Sequence, residues 1–137
     1  MKTTLDPKQI EQLIEAAKEA RGRAFAPYSR FSVGAALLGP DQQIYLGCNV
    51  ENASFGLTIC AERAAVANAV AHGCRDFHAL AVVAESDSGL VTPCGACRQV
   101  LAEFSPHLTV ICSDGAGQTK IFGLDDLLPY RFDFNAR

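Results

Sequence analysis

An α/β layer structure with a mixed five-stranded sheet is the fold this sequence predicts, and three observations predict it. The chain opens on a capped helical pattern. Short apolar runs bounded by turn residues then recur, each too short for an ordinary helix. Two alanine-containing helical segments fall between those runs, giving the order α-β-β-α-β-α-β-β.

In the first helix Asp6 is the cap, Pro7 fits the first turn, and Ile10, Leu13, Ile14 and Ala17 recur at helical spacing. It is expected to reach about Ala24, short of Pro27. Residues 31–38 form an apolar run broken by Gly39-Pro40-Asp41, and 44–48 read as its hairpin partner. Residues 49–58 follow neither period and read as a loop. A second helix spans 60–71 with Gly73 as its stop; apolar on nearly every face, it belongs against a sheet. Residues 78–84 read as a buried strand, 85–89 as a polar loop leading to Pro93, and 95–104 as a third helix. Residues 108–112 and 118–122 bracket the turn signal Asp114-Gly115 and read as two more strands. A short helix near 124–128 stops at Pro129, before a tail with two phenylalanines. No repeat or linker interrupts the chain, so residues 1–137 are expected to form one domain.

Composition narrows the function classes. Apolar residues make up 49% of the chain and charged residues 20%, which fits a globular protein and excludes general disorder. No apolar run approaches the roughly 20 residues that a membrane-spanning helix needs. Residues 1–10 hold no apolar stretch that could serve as a secretion signal. The formal charge of −3 argues against a nucleic-acid surface. The expectation is a soluble cytoplasmic domain without a membrane or nucleic-acid partner.

Six cysteines sharpen that expectation. A disulfide framework belongs to a secretory context, and the spacing argues against one. Cys94 and Cys97 form a Cys-x-x-Cys pair, which alone is compatible with a redox pair or half of a structural zinc knuckle. Cys60 adds a third sulfur at the start of the second helix, while Cys94 and Cys97 straddle the start of the third. Unpaired N–H groups at helix starts favour thiolates, which are the ligands a soft metal takes. Three thiolates fill three corners of a zinc tetrahedron and leave the fourth open for water, as in catalytic sites. Cys48, Cys74 and Cys112 read as small buried hydrophobes, and His72, His78 and His107 are given no ligand role.

Glu62 is the candidate base, a carboxylate in the first turn of an otherwise apolar helix. Zinc with three thiolates carries a formal −1, which opposes ionisation of a bound water. Positive charge must then come from the helix starts and from Arg63, with Arg98 a weaker second candidate. Asn49 and Glu51 alternate by two and can point to one side. No basic or glycine-rich phosphate cradle is evident beside them, which argues against a phosphate-bearing ligand there.

Cys60-Ala61-Glu62-Arg63 together with Pro93-Cys94-Gly95-Ala96-Cys97-Arg98-Gln99 resembles the zinc-dependent cytidine deaminases. Residues 28–37, 47–54 and 127–129 are similar to other segments of that family, in its small, homotetrameric, free-nucleoside type. The resemblance implies a three-layer α-β-α fold and one zinc per chain on Cys60, Cys94 and Cys97. It implies that Glu62 takes a proton from water that attacks C4 of cytosine, then protonates N3 and the departing amine. It further implies that Asn49 and Glu51 hold the ribose 3′-hydroxyl, Phe31 packs on the pyrimidine, and the Ala61 N–H binds the base carbonyl. Phe55 and Phe132 match positions that reach a neighbouring subunit's site; Phe55 stands where relatives often carry tyrosine. The implied activity is deamination of cytidine and 2′-deoxycytidine in pyrimidine salvage.

Competing readings are a blasticidin-S-type deaminase, which shares the zinc and glutamate motifs, a polynucleotide editor, and a non-catalytic zinc-stabilised module. The Asn49-Val50-Glu51-Asn52-Ala53 segment fits a nucleoside enzyme better, and no lysine–arginine run marks a strand channel.

Overall fold

The structure, a computed structural model, describes residues 5–87 and 89–134. Ser88 of the expected polar loop and the start of the 1–10 segment lie outside those residues. The elements are α1 (Pro7–Arg21), β1 (Gly34–Leu38), β2 (Ile44–Cys48), α2 (Ala61–Ala71), β3 (Ala79–Val83), α3 (Gly95–Phe104), β4 (Thr109–Ser113), β5 (Thr119–Gly123) and α4 (Leu124–Leu127). A single 3-10 turn, Phe55–Leu57, interrupts the loop after β2. The strands form one sheet in the order β2-β1-β3-β4-β5. Only the β3–β4 pair is parallel, so the sheet is mixed, as expected.

Side chains alternate across this sheet with the strand period of two, and each face has its own core. Ala36, Leu38, Ala79, Ala81, Val83 and Ile111 pack against Leu13 and Ala17 of α1. Ala35, Leu37, Leu80, Val82, Val110 and Cys112 face the other way, onto Ala65 and Ala69 of α2 and Leu101 of α3. The result is three layers, with β1, β3 and β4 buried along their whole length. Burial on both faces explains why these strands read as continuous apolar runs rather than alternating ones.

Two boundaries differ from expectation for identifiable reasons. Asp6 and Gln9 form a reciprocal capping box at the start of α1, with bonds of 2.8 and 3.1 Å. The helix nevertheless ends at Arg21 instead of near Ala24. Phe25 donates to the Asn49 carbonyl at 3.0 Å and accepts from the Glu51 N–H at 2.9 Å, which draws the chain off the helix axis. Likewise β1 begins at Gly34 rather than Phe31, because the backbone of Phe31 and Val33 bonds to the Asn49 side chain instead of a strand.

Glycine sets the depth at which α2 lies on the sheet. A Cβ at Gly47 of β2 would stand 2.3 Å from both the Ala61 oxygen and the Ala65 nitrogen. Gly34 is as tightly met by α1, with the Ala17 oxygen 1.9 Å from a hypothetical Cβ. The small residues of α2 and β1 therefore serve packing inside the chain: Ala35, Ala36, Ala61, Ala65 and Ala69 are all fully buried here. Gly47→Ala is expected to cost about 1–3 kcal/mol of stability, read as a lower urea midpoint with an unchanged m-value. An unaltered midpoint would show that α2 can shift freely.

Candidate metal centre and active site

Two helix starts converge at one end of β3. Cys60 is the N-cap of α2 and Cys94 the N-cap of α3, while Cys97 lies in the first turn of α3. Both caps have extended backbone, which turns each helix sharply away from the incoming loop. The three sulfurs lie within 4.8 Å of one another, and Cys94 Sγ stands 3.5 Å from Cys97 Sγ. Tetrahedral sulfur ligands at about 2.3 Å from an ion stand roughly 3.8 Å apart, so this donor set fits zinc in both chemistry and spacing. Among the described residues it is the one group of three metal-ligating side chains, and it contains no histidine.

The sulfurs differ in environment. Burial drives the Cys97 thiol far up, and the nearby Glu62 charge adds to that. Cys94 is exposed. Burial also opposes its ionisation, but the Cys97 N–H, the Cys97 and Cys60 thiols and the Ala96 N–H together outweigh it and hold Cys94 below the usual thiol range. Arg63 Nη2 lies 3.4 Å from Cys60 Sγ and also 3.4 Å from the Thr58 carbonyl. Its guanidinium is held in the charged form chiefly by that sulfur, with Cys97 contributing. Its Nε is buried without a hydrogen-bond partner among the described residues.

Glu62 is 6% exposed. Desolvation raises its pKa, against the opposing pull of its own backbone N–H, the Cys97 thiol and Arg63. Arg98 does not join this cluster. Its three nitrogens donate to the Pro93 carbonyl, the Leu127 carbonyl and Thr92 Oγ1, so the expected charge-tuning part falls to Arg63 alone of the two arginines.

A cavity of about 190 Å³ opens on this cluster, lined by Phe31, Val33, Asn49, Thr58, Cys60, Ala61, Glu62, Val82, Val91, Thr92 and Cys94. A second of about 280 Å³, lined by Tyr28, Ser29, Glu51, Phe55 and Thr58, shares Thr58 with it. Together they reach the size of small-molecule sites, roughly 300–1,000 Å³. Both chambers are mostly apolar, the inner one around a carboxylate and the sulfurs, the outer one around the Glu51 carboxylate with Ser29 and Thr58 beside it. Neither contains a lysine or arginine.

Asn49 and Glu51 also organise the loop that roofs both chambers. Asn49 Oδ1 accepts from the Val33 N–H at 2.9 Å, and its Nδ2 donates to the Phe31 carbonyl at 2.8 Å. Glu51 Oε1 accepts from the Tyr28 and Ser29 N–H groups at 3.0 and 3.1 Å, and the Ser29 hydroxyl donates to Oε2. Ser29 Oγ in turn accepts from the Phe31 N–H at 3.0 Å. These bonds, the Ser29 hydroxyl first, hold the Glu51 carboxyl below its ordinary range.

Cys60, Cys94, Glu62, Ala61, Phe31 and Asn49 thus line one chamber, and Glu51 and Phe55 the next. Phe132 lines neither: its backbone is held by the Gln99 amide, at 2.9 and 3.2 Å. Phe55 is 74% exposed and meets Tyr28 edge-on, ring centres 5.8 Å apart. Of the other lining residues, Thr58 and Thr92 had no assignment from sequence, and Ser29 and Val33 entered only within the family-like segment 28–37. Their signal was adjacency, since Val33 follows Phe31 by two and Thr92 precedes the Pro93-Cys94 pair. Of the remaining cysteines, Cys112 is buried and its thiol is pushed up to about 12 by burial and then by Glu62. Cys48 and Cys74 are only half-buried, contrary to expectation, with their thiols directed at the Arg23 and Asp76 carbonyls.

Comparison with known proteins decides the family. The model described as the cytidine and deoxycytidylate deaminase zinc-binding region matches residues 7–113. The chain belongs to that family. A cytidine deaminase of Sporosarcina psychrophila is 58% identical over 124 residues, covering 90% of each chain. A crystal structure of cytidine deaminase from Burkholderia pseudomallei superposes with a TM-score of 0.84 at 51% identity, covering 89% of this chain and 98% of that one. Cytidine deaminase from Mycobacterium tuberculosis superposes at 0.76 with 42% identity, covering 90% and 96%. The three-layer fold is therefore the cytidine deaminase fold, and the ion that the Cys60, Cys94 and Cys97 group fits is zinc.

Proposed function

We propose that this chain hydrolyses cytidine and 2′-deoxycytidine to uridine and 2′-deoxyuridine with release of ammonia, a reaction of pyrimidine salvage. One observation carries the reading: a buried carboxylate, Glu62, lies beside three zinc-ligating sulfurs on the wall of a chamber with room for a small ring. Zinc held by Cys60, Cys94 and Cys97 supplies a Lewis acid that makes a water molecule easier to deprotonate. Glu62 accepts the proton as that water adds to C4 of the cytosine. Its burial keeps it a better proton holder than an ordinary carboxylate, which suits a group that must receive a proton and give it back. It returns that proton to N3, then takes the proton of the new C4 hydroxyl and delivers it to the amine, so that the C4–N bond breaks, ammonia leaves and the C4 carbonyl of the product forms. Arg63 offsets the excess negative charge of the thiolates.

Phe31 packs on the pyrimidine, and the Ala61 N–H at the start of α2 takes the base carbonyl. The sugar falls in the outer chamber. A carboxylate has about four lone-pair positions, so Glu51 keeps one for the ribose 3′-hydroxyl after its three loop bonds. Asn49 keeps one amide hydrogen for the same hydroxyl. Two chambers without a basic side chain, one holding a carboxylate, favour a neutral nucleoside over a nucleotide.

The chain is read as one domain over residues 1–137 that works in the cytoplasm as a homotetramer, with Phe55 and Phe132 reaching neighbouring sites. Phe55, Leu57 and Ile59 on the stretch that carries Glu51, with Phe25 and Tyr28 on the segment bonded to it, are exposed large hydrophobic side chains, which supports an interface there. No helix among the described residues is long and apolar enough to cross a membrane.

Glu62→Gln is expected to keep about one zinc per chain while cytidine turnover, followed by loss of cytidine absorbance, falls by about 10²–10⁴-fold. Activity retained by that variant would remove Glu62 from the chemistry. Light scattering at working concentration is expected to give the mass of four chains; a monomer mass would sink the shared-site reading.

A further inference from the structure

Arg98 follows the ligand Cys97 in α3, and its side chain turns back toward the other ligand of that helix. Nε donates to the Pro93 carbonyl at 2.6 Å, and Nη2 donates to Thr92 Oγ1 at 3.0 Å. Its backbone N–H donates to the Cys94 carbonyl at 2.9 Å. Cys94 is thus bracketed by one residue: its own carbonyl and that of the preceding proline are both tied to Arg98. The fourth donor, Nη1, reaches the Leu127 carbonyl at the end of α4, at 2.7 Å.

This bracing falls where it is needed. Cys97 is fixed by the helix and fully buried, and Cys60 is half-buried against Arg63. Cys94 is the exposed ligand, reached through a segment after β3 that holds no strand or helix among its described residues. A planar guanidinium spreads its donors over three nitrogens in a fixed fork and so spans three acceptors on two chain segments, whereas an ammonium offers its donors from a single nitrogen. The next residue, Gln99, directs its side-chain amide to the Phe132 backbone instead.

We propose that Arg98 is a positioning residue for the metal centre: it sets the Thr92-Pro93-Cys94 segment so that the Cys94 sulfur meets those of Cys60 and Cys97, and it anchors that segment to α4. Zinc retention then depends on a side chain that touches neither zinc nor any sulfur. The inference rests on Cys60, Cys94 and Cys97 holding zinc, so the wild-type chain is measured alongside.

The test compares wild-type protein with Arg98→Lys, Arg98→Gln and Gln99→Ala, each loaded with zinc. Release of the metal to an excess of a chromogenic chelator is timed, and melting is recorded with and without zinc. Both Arg98 variants are expected to release zinc about tenfold faster or more, in line with losses typical when support around a ligand is removed. The melting gap between loaded and metal-free protein narrows, while Gln99→Ala behaves as wild type. A merely structural Arg98 would lower both melting temperatures equally and leave release unchanged, and that result overturns the proposal. Lysine keeps the charge, so the Arg98→Lys variant keeps the test available if glutamine prevents folding. A wild-type chain that binds no zinc would overturn the metal reading itself.

Discussion

The convergence of two helix N-termini on one point is the constraint that the rest of the molecule serves. α2 and α3 each begin with a cysteine in extended conformation, and three sulfurs meet within 4.8 Å because both helices lie on the same face of the sheet. The parallel pairing of β3 and β4 requires a crossover between them, and α3 is that crossover. Its N-terminus consequently sits beyond the carboxyl end of β3, where Val82 enters the cavity wall. α2 is held at its depth by the absence of a side chain at Gly47. Misplacing either helix by an ångström would separate the sulfurs, so backbone packing and metal chemistry are one requirement.

Charge is the second constraint, and it follows from the first. Three thiolates around one divalent ion leave a negative cluster in a poorly solvated place. Two helix starts and the Arg63 guanidinium are the positive charge that meets it. A carboxylate in the same place is the more costly for that, and burial raises the Glu62 pKa accordingly. The same group that is expensive to ionise is the one able to hold a proton between two steps. Arg98, which follows Cys97 directly, points each of its three guanidinium nitrogens at a backbone or hydroxyl oxygen. The two motif arginines thus meet different partners, a sulfur and the Thr58 carbonyl for Arg63 and oxygens of three residues for Arg98.

Much of this was legible in the sequence. The apolar runs placed all five strands within one to three residues, because a strand buried on both faces leaves an uninterrupted apolar signal. The Cys60 and Cys94/Cys97 spacing located the metal group, since helix starts can be read from local residues. What could not be read were contacts set by long-range hydrogen bonds. Phe25 leaves α1 for a bridge to Val50, and the Asn49 amide takes residues 31–33 out of β1; neither leaves a periodic trace. The partners of Arg98 could not be read for the same reason, because Leu127 lies 29 residues away. Asn49 and Glu51 were legible as a pair, but their hold on the roof loop through Ser29 was not.

X-ray absorption at the zinc edge of the purified chain tests the central claim most directly. The account predicts three sulfur neighbours at about 2.3 Å and one light-atom neighbour at about 2.0–2.2 Å around a single zinc per chain. Four sulfur neighbours would mean a closed structural site, and two or fewer would mean that α2 and α3 do not share an ion; either result contradicts it.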